Sequence, residues 1–161
     1  MLVEKPPLTP LDLLPLTHSW PLFESGQRFD LGTLRGDAGP ATNVVLDPDH
    51  FERRGIGVWQ CDLADNGLRW SPTVYDLFGL PRGAGLLRPE IVALYCEPSR
   101  AAMERLRAHA IRHRRGFTID VEILPARRRS RWMRLVAAPI CEGGRTVRLH
   151  GLKRDVTHEY R

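Results

Sequence analysis

Apolar and polar residues alternate in several stretches of the chain, and this period of two predicts β-strands. The alternation is regular at 117–123, where phenylalanine, isoleucine and valine are separated by threonine, aspartate and glutamate. We expect that strand to have a buried face containing Ile119 and Val121 and a solvent-exposed face containing Asp120. Four further strands are predicted at 58–63, 68–70, 132–140 and 146–156.

Helices are predicted between these strands by residues typical of helix starts and ends. Ser71 can cap a helix that begins at Pro72, and Gly79 can end it. Leu77 and Phe78 fall on one face of this helix. The same rules predict shorter helices at 47–55 and 89–94.

The longest predicted helix runs from Arg100 to about Arg115, with Ser99 as its cap and Gly116 as its end. One stripe at helical spacing holds Ala102, Leu106, His109, Ala110 and His113. Together the elements predict an α+β fold, with a five-stranded antiparallel sheet and helices packed on one face.

Residues 1–46 are predicted to form a Pro-rich, acidic N-terminal arm ahead of a domain at 47–161. Six of the thirteen prolines lie in this arm, which excludes long helices there. The arm also contains Trp20, Leu22 and Phe23, which are costly to leave in water. We therefore expect it to pack on the domain or on a second subunit.

Charge is spread unevenly along the chain. Residues 1–50 hold three Lys or Arg and seven Asp or Glu, whereas residues 51–161 hold twenty-one and twelve. The acidic arm folding back on the basic domain, an acidic partner, or simply solvated charge would each account for this pattern.

A basic loop is predicted at 127–131, where four arginines surround Ser130. Further basic residues that we assign to the same surface are Arg134, Arg145, Arg148, Lys153 and Arg154. Nucleic-acid sites interleave basic and aromatic side chains, and only Trp132 is close to this loop. We therefore expect a solvated turn or an acidic partner, and no nucleic acid.

The chain has three cysteines without C-x-x-C spacing, which argues against a disulfide framework or a zinc site. No apolar run approaches the roughly 20 residues of a membrane span. We expect a cytoplasmic protein that does not enter a membrane.

Two linked motifs, G-x-W-x-x-D-L at 57–63 and L-x-W-S-P-x-x-Y-x-L-F-G-L-P at 68–81, resemble the opening of a PAS sensory domain. The stretches 131–134, RWMR, and 151–157, GLKRDVT, resemble later motifs of the same family. The similarity is to the bacterial PAS domains that accompany histidine kinases and diguanylate cyclases, and it spans about 47–158. One segment departs from the family, because relatives often have His-Pro-Glu-Asp where this chain has Cys96-Glu97-Pro98-Ser99.

The PAS resemblance implies a pocket between the sheet and the helices that takes a small ligand. The ligand-lining candidates come from periodicity and from this resemblance, and they are Trp59, Trp70, Tyr75, Phe78, Leu94, Leu106, His109, His113, Ile119, Val121, Met133 and Leu135. All of them are equally compatible with an ordinary core.

His109 and His113 are the sharpest candidates, because residues four apart point the same way from a helix. Haem-binding PAS domains carry their ligating histidine on the corresponding helix. Yet a metal pair lacks a third ligand nearby in sequence, and histidines near a helix end also interact well with its carbonyls. The structural interpretation is therefore preferred, and no cofactor is assigned.

Light sensing through a flavin is not favoured, because the reactive cysteine of blue-light PAS domains lies in an N-C-R-F-L-Q stretch that this sequence lacks. No nucleophile–base arrangement or phosphate-binding loop is present either, so we expect no enzymatic activity.

Two functions remain open, a small-ligand sensor and a ligand-free adaptor or dimerisation module. Both would act as a homodimer and on a separate signalling protein such as a kinase, a cyclase or a regulator. In relatives, Asp-Ile-Thr couples the domain to a following helix, whereas only four residues follow Thr157 here. We therefore expect any signal to leave through a surface.

Overall fold

The strands of the described residues, 15–31 and 43–161 of the computed structural model, form one six-stranded antiparallel sheet. They are β1 Thr17–Pro21, β2 Gly57–Asp62, β3 Leu68–Trp70, β4 Arg115–Ile123, β5 Arg131–Glu142 and β6 Arg145–Asp155. Their order across the sheet is β1-β4-β5-β6-β2-β3. The five strands predicted from alternation are all present, and β1 adds a sixth at the edge beside β4.

Five α-helices lie in the described part of the chain, and none of them is long and apolar enough to cross a membrane. They are α1 Ser25–Arg28, α2 Pro48–Glu52, α3 Pro72–Phe78, α4 Arg88–Val92 and α5 Glu97–His113. Short 3-10 turns occupy Leu22–Glu24 and Thr157–Glu159.

The predicted helix boundaries are correct where the local chemistry acts alone. Asp47 accepts a hydrogen bond from the Asp49 amide at 3.1 Å and so caps α2. Gly79, with φ of 68°, ends α3 in the left-handed conformation that glycine adopts without strain.

The predicted cap at Ser99 is wrong, because Cys96 occupies that position, whereas Ser71 does precede α3 as predicted but makes no side-chain capping bond. Both serine hydroxyls bond to the sheet instead. Ser71 Oγ accepts from the Val58 amide at 2.8 Å, and Ser99 Oγ accepts from the Glu122 amide at 2.8 Å. Helix α5 begins earlier than predicted, at Glu97, because Pro98 fits its first turn. It ends at His113, with Arg114 rather than Gly116 in the left-handed conformation.

The main core lies between one face of the sheet and helices α3, α4 and α5. Inward residues of β4 and β5, such as Ile119, Val121 and Met133, are fully or almost fully buried there. Phe78 of α3 and Met103 of α5 close the core from the helical side.

A second, smaller core covers the opposite face of the sheet. Trp20 of β1 and Phe51 of α2 are fully buried against Val136, Ala138 and Leu152 of the central strands. The α+β fold is therefore confirmed, with α2 and the β1 segment added on the face away from the main core.

The described part of the predicted N-terminal arm packs on the sheet of the same chain. Trp20 Nε1 donates to Thr118 Oγ1 at 3.0 Å, and Leu16 O accepts from the Asp120 amide at 2.9 Å. Four of the arm's prolines, Pro6, Pro7, Pro10 and Pro40, lie outside the described residues.

Asp120, which we expected to face solvent, is buried instead, with no exposed side-chain surface. Its carboxylate accepts from Arg134 Nε and from Arg134 Nη2, each at 2.8 Å, and from Tyr160 Oη at 2.5 Å. The Asp120 hydrogen bond to Arg134 keeps the pKa of this guanidinium above its usual value. A buried carboxylate is tolerated here because these donors are directed at it.

Candidate ligand site in the core

A cavity of about 50 Å³ lies between the inner face of the sheet and the helices α4 and α5. Its walls are mainly aromatic and aliphatic, with three cationic side chains and one phenol among them. The lining residues are Trp59, Cys61, Leu68, Trp70, Arg88, Ile91, Val92, Tyr95, Met103, Arg107, Phe117, Leu135, Leu149 and Lys153.

Lys153 is the unexpected member of this wall. It lies on β6, where it pairs with Gly57 of β2 and with Leu135 of β5. Because side chains alternate along a strand, Lys153 shares the inner face with Leu149 and Gly151. Only 6% of its surface is exposed, so this cation is inside the core and not on the basic surface where we expected it.

Three aromatic rings surround the Lys153 amine. Nζ lies 5.2 Å from the ring centroid of Trp59, 5.5 Å from that of Trp70 and 5.0 Å from that of Phe78. The rings of Trp70 and Phe78 are themselves stacked, with centroids 5.0 Å apart and an interplanar angle of 16°. Such ring faces attract a cation, at about 2 kcal/mol when it is desolvated.

Tyr95 is the polar side chain within hydrogen-bonding range of this amine. Lys153 Nζ donates to Tyr95 Oη at 3.5 Å, a long bond, and Tyr95 is 4% exposed. Burial raises the pKa of Tyr95 far above its ordinary value, so the phenol keeps its proton at neutral pH.

Burial lowers the pKa of Lys153 to about 7, against 10.5 for an ordinary lysine. The cost of placing a charge in an apolar core is the main cause, Cys61 offsets part of it, and the Arg88 guanidinium adds a smaller repulsion. Within 15–31 and 43–161, no carboxylate forms an ion pair with Lys153.

The polar groups around the cavity are mostly donors. The indole nitrogens of Trp59 and Trp70 are buried without a hydrogen-bond partner among the described residues. Arg88 is held by an ion pair with Glu104. Unsatisfied buried donors cost about 1–3 kcal/mol each, so a group that accepts hydrogen bonds would be stabilised here.

The structure brings together only some of the predicted site residues. Trp59, Trp70 and Leu135 line the cavity. The remaining apolar candidates belong to the same core or pack against it. The Tyr75 ring lies edge-on to the Trp70 ring, with ring centroids 5.2 Å apart. Those packing candidates are Phe78, Leu94, Leu106, Ile119, Val121 and Met133.

His109 and His113 are exposed, whereas Ala102, Leu106 and Ala110 of the same predicted stripe lie in the core or pack against it, so the structure contradicts the stripe only at its two histidines. The buried residues of α5 are Ser99, Met103 and Ala110. Small or flexible side chains fit under the helix where it packs on β4, and the two imidazoles point away with their ring centroids 4.5 Å apart. Nor does any group of three metal-ligating side chains occur in the described residues.

Sequence reasoning missed Lys153 and Tyr95, although a signal for Lys153 was available. In the predicted strand 146–156, a period of two places Lys153 on the same face as Leu149 and Gly151. The chain has two lysines against twenty-two arginines, so a lysine in the middle of a strand is itself unusual.

Comparison with known proteins gives matches at the level of structure alone. Neither the protein-family models nor the curated proteins give a match to this sequence. The N-terminal PAS/PAC sensor domain of a diguanylate cyclase from Marinobacter aquaeolei matches 66% of this chain and 99% of its own, with TM-score 0.61 and 15% identity. A sensory-box histidine kinase/response regulator from Burkholderia thailandensis matches 71% of this chain and 88% of its own, with TM-score 0.60 and 16% identity.

An RNA-binding light-oxygen-voltage receptor matches 66% of this chain with TM-score 0.58 and 16% identity, and this chain spans 30% of that receptor. All three similarities are similarities of fold. The described chain thus has the PAS fold, the fold of sensory domains in signalling proteins, as the sequence resemblance predicted.

Proposed function

We propose that this chain is a bacterial, cytoplasmic PAS sensor that binds a small carboxylate in the cavity beside Lys153. The single observation that supports it is a buried lysine without a carboxylate partner among the described residues, next to a cavity whose other polar groups mostly donate. A ligand carboxylate would supply the missing acceptor and the missing negative charge.

The energetics of Lys153 favour such a ligand. An unpaired ammonium in an apolar core is unfavourable, and this is why the pKa of Lys153 falls. An anion in the cavity would raise that pKa again, so binding near neutral pH is coupled to uptake of a proton by Lys153.

The size of the cavity restricts the ligand. One water molecule needs about 10–15 Å³ of such space, so about 50 Å³ accommodates only a few non-hydrogen atoms. Formate, acetate and glycolate are of this size, whereas a flavin or a haem would need the core to open.

Thermal shift and isothermal titration with formate and acetate test this proposal. We expect both anions to stabilise the wild-type protein, with the proton uptake showing as a heat that depends on the buffer. Lys153→Met should abolish the effect, while Arg154→Met, which removes an exposed cation from the next position, should retain it. Equal increases in Tm in all three proteins would show that the anions stabilise the protein only as non-specific salts, and this would contradict the proposal.

Output through protein–protein contacts is a further part of the proposal. Several apolar side chains of the described residues are exposed, including Phe23 at 67% and Val45 at 89%. Both belong to the predicted N-terminal arm, which is where we place contact with a second copy or with a separate kinase, cyclase or regulator. Sedimentation of wild type and of Phe23→Ser tests dimerisation, since the variant should shift toward the monomer.

The second candidate is a ligand-free adaptor, and the small cavity volume favours it. Core side chains fill most of the space between the sheet and the helices, and a second core covers the opposite face of the sheet. The titration above separates the two functions, because an adaptor would show no Lys153-dependent binding.

A further inference from the structure

The identity of the buried cation matters chemically. Twenty-two of the twenty-four Lys and Arg residues are arginine, which stays protonated in proteins. The position inside the core holds one of the two lysines. A lysine amine, unlike a guanidinium, can lose its proton and act as a nucleophile.

The contacts of the Lys153 amine in the described structure do not include an ion pair. Its contacts are three ring faces at 5.0–5.5 Å and the Tyr95 hydroxyl at 3.5 Å, and none of these holds it as an ion pair does. The cavity of about 50 Å³ borders the same side chain. An apolar, desolvated pocket of this kind is one of the environments that activate lysine.

We propose that Lys153 Nζ forms a reversible imine with a small aldehyde or 2-oxo acid that enters this cavity. The inference rests on the proposed function, because it uses the same cavity as the ligand site and adds a reversible covalent bond between Lys153 and the ligand. It extends the ligand class from small carboxylates to small carbonyl compounds, with or without a carboxylate.

The protonation state of the amine is compatible with this reaction. Burial brings the pKa of Lys153 to about 7, so a large fraction of the amine is neutral at neutral pH. The groups around it from the packed elements are Tyr95 on the helical side, Cys61 and Trp59 on β2, Arg88 on α4 and Arg107 on α5. None of them is a carboxylate that would keep the ammonium form.

The step balances without an oxidant or reductant. The nitrogen lone pair attacks the carbonyl carbon and forms a C–N bond, and one proton passes from nitrogen to the carbonyl oxygen to give a hemiaminal. The second nitrogen proton then passes to this hydroxyl as the C–O bond breaks, so that the oxygen leaves as water and a C=N bond remains. Tyr95, which is protonated and near Nζ, can donate to the carbonyl oxygen as its negative charge develops.

The aromatic walls would stabilise the product once the imine nitrogen is protonated. The Trp59, Trp70 and Phe78 ring faces around Nζ would then interact with a delocalised cation that has no strongly held water to lose. A carboxylate on the captured compound would meet the donor groups of the cavity, such as the indole nitrogens of the two tryptophans.

Reductive trapping followed by peptide mapping tests the proposal on the unmodified chain. Glyoxylate and acetaldehyde are the probes, and cyanoborohydride converts an imine to a stable secondary amine. Trypsin normally cleaves after Lys153, and a modified Lys153 resists it, so the peptide 149–154 replaces 149–153. Lys5 and the N-terminal amine serve as internal references in the same sample.

We expect at least about tenfold more label on Lys153 than on Lys5 near neutral pH, since an ordinary lysine is almost fully protonated there. Labelling of Lys153 should rise with pH and level off above about pH 8. Acetate should compete with it, and Tyr95→Phe should slow it while leaving the protein folded.

The outcomes distinguish this inference from the function on which it rests. Label on Lys5 and the N-terminus alone, with acetate still stabilising wild type but not Lys153→Met, would overturn the imine and leave the carboxylate sensor standing. Absence of both label and acetate stabilisation would overturn the two together. Because the mapping uses wild-type protein, the test does not depend on whether a variant folds.

Discussion

Lys153 Nζ lies 3.5 Å from Tyr95 Oη, and both side chains are almost completely buried between the sheet and the helices. The pair joins β6 to the segment between α4 and α5, so it bridges the two layers of the domain. An amine whose pKa is lowered by burial and a phenol whose pKa is raised are both neutral in the same narrow space above about pH 7. A ligand that brings negative charge into this space would favour the protonated form of Lys153.

The stability of the fold should depend on pH through Lys153. Its pKa falls from 10.5 when unfolded to about 7 when folded, so between these values the unfolded chain binds more protons. The free energy of unfolding should therefore rise with pH from about 7 to about 10 and be insensitive to this group below about 6. A tenfold difference in proton affinity between the two states is worth about 1.4 kcal/mol, so the whole rise is on the order of several kcal/mol.

Urea unfolding at several pH values measures this effect, and Lys153→Met isolates it. The variant removes the titrating group and should lose the rise while gaining stability at neutral pH, because it no longer buries an amine. Parallel curves for wild type and variant between about pH 7 and about pH 10 would mean that Lys153 titrates normally.

Asp120 should be a major determinant of stability at the β4–β5 pairing. Asp120→Asn would leave Arg134 with a neutral amide and with its longer contact to Glu159 at 3.3 Å, so we expect a cost of about 3 kcal/mol, the lower end for breaking a buried ion pair. Tyr160→Phe removes one hydrogen bond to the same carboxylate and should cost about 1 kcal/mol.

The control for this pair is Asp155→Asn at the exposed end of β6, which should change stability by less than about 1 kcal/mol. Chemical denaturation of the three variants measures the loss in free energy of unfolding for each, and so ranks the three effects. A Tyr160→Phe effect as large as that of Asp120→Asn would instead indicate that the C-terminal turn anchors the whole sheet.

The hydrophobic period is sufficient to predict the five strands from β2 to β6, because each inward position meets an apolar neighbour. Ile119, Val121 and Met133 therefore lie where alternation places them. The end of helix α3 is predicted correctly for a similar reason, since Gly79 adopts the conformation that its sequence favours.

The errors occur where tertiary contacts override local patterns. The Ser71 and Ser99 hydroxyls bond to strand amides that no local rule can identify. The sequence pattern predicts an exposed Asp120 because its partners, Arg134 and Tyr160, come from distant parts of the chain. Lysine usually lies on the surface, so Lys153 is predicted to be exposed, although the period of two along its strand places it on the inner face.

The exposed histidines of α5 should contribute nothing to the core cavity. We expect His109→Ala and His113→Ala to change stability by no more than about 0.5 kcal/mol, as substitutions at exposed positions usually do. Acetate titration of the double variant should give wild-type affinity. A clear loss of acetate binding would show that these histidines belong to the ligand site. Helix α5 would then have to rotate when the ligand binds.

The edge strand β1 should depend on the absence of a side chain at Gly116. A Cβ at this position would lie 2.2 Å from the Trp20 ring, which is fully buried against β4. Gly116→Ala should therefore expel Trp20 and detach β1, with a loss of about 3 kcal/mol or more, the usual cost of losing a buried tryptophan. Gly85→Ala is the matched control, because an added Cβ there has no neighbour within 4 Å among the described residues.

Hydrogen exchange measured by mass spectrometry tests whether β1 detaches. In Gly116→Ala, exchange should accelerate in peptides from 15–31 and at the β4 amides that pair with β1, including that of Asp120. Peptides from β2 and β3, which pair with each other at the opposite edge of the sheet from β1, should keep wild-type protection because the main core does not use β1. Loss of protection throughout the domain would show instead that β1 is required for folding of the whole sheet.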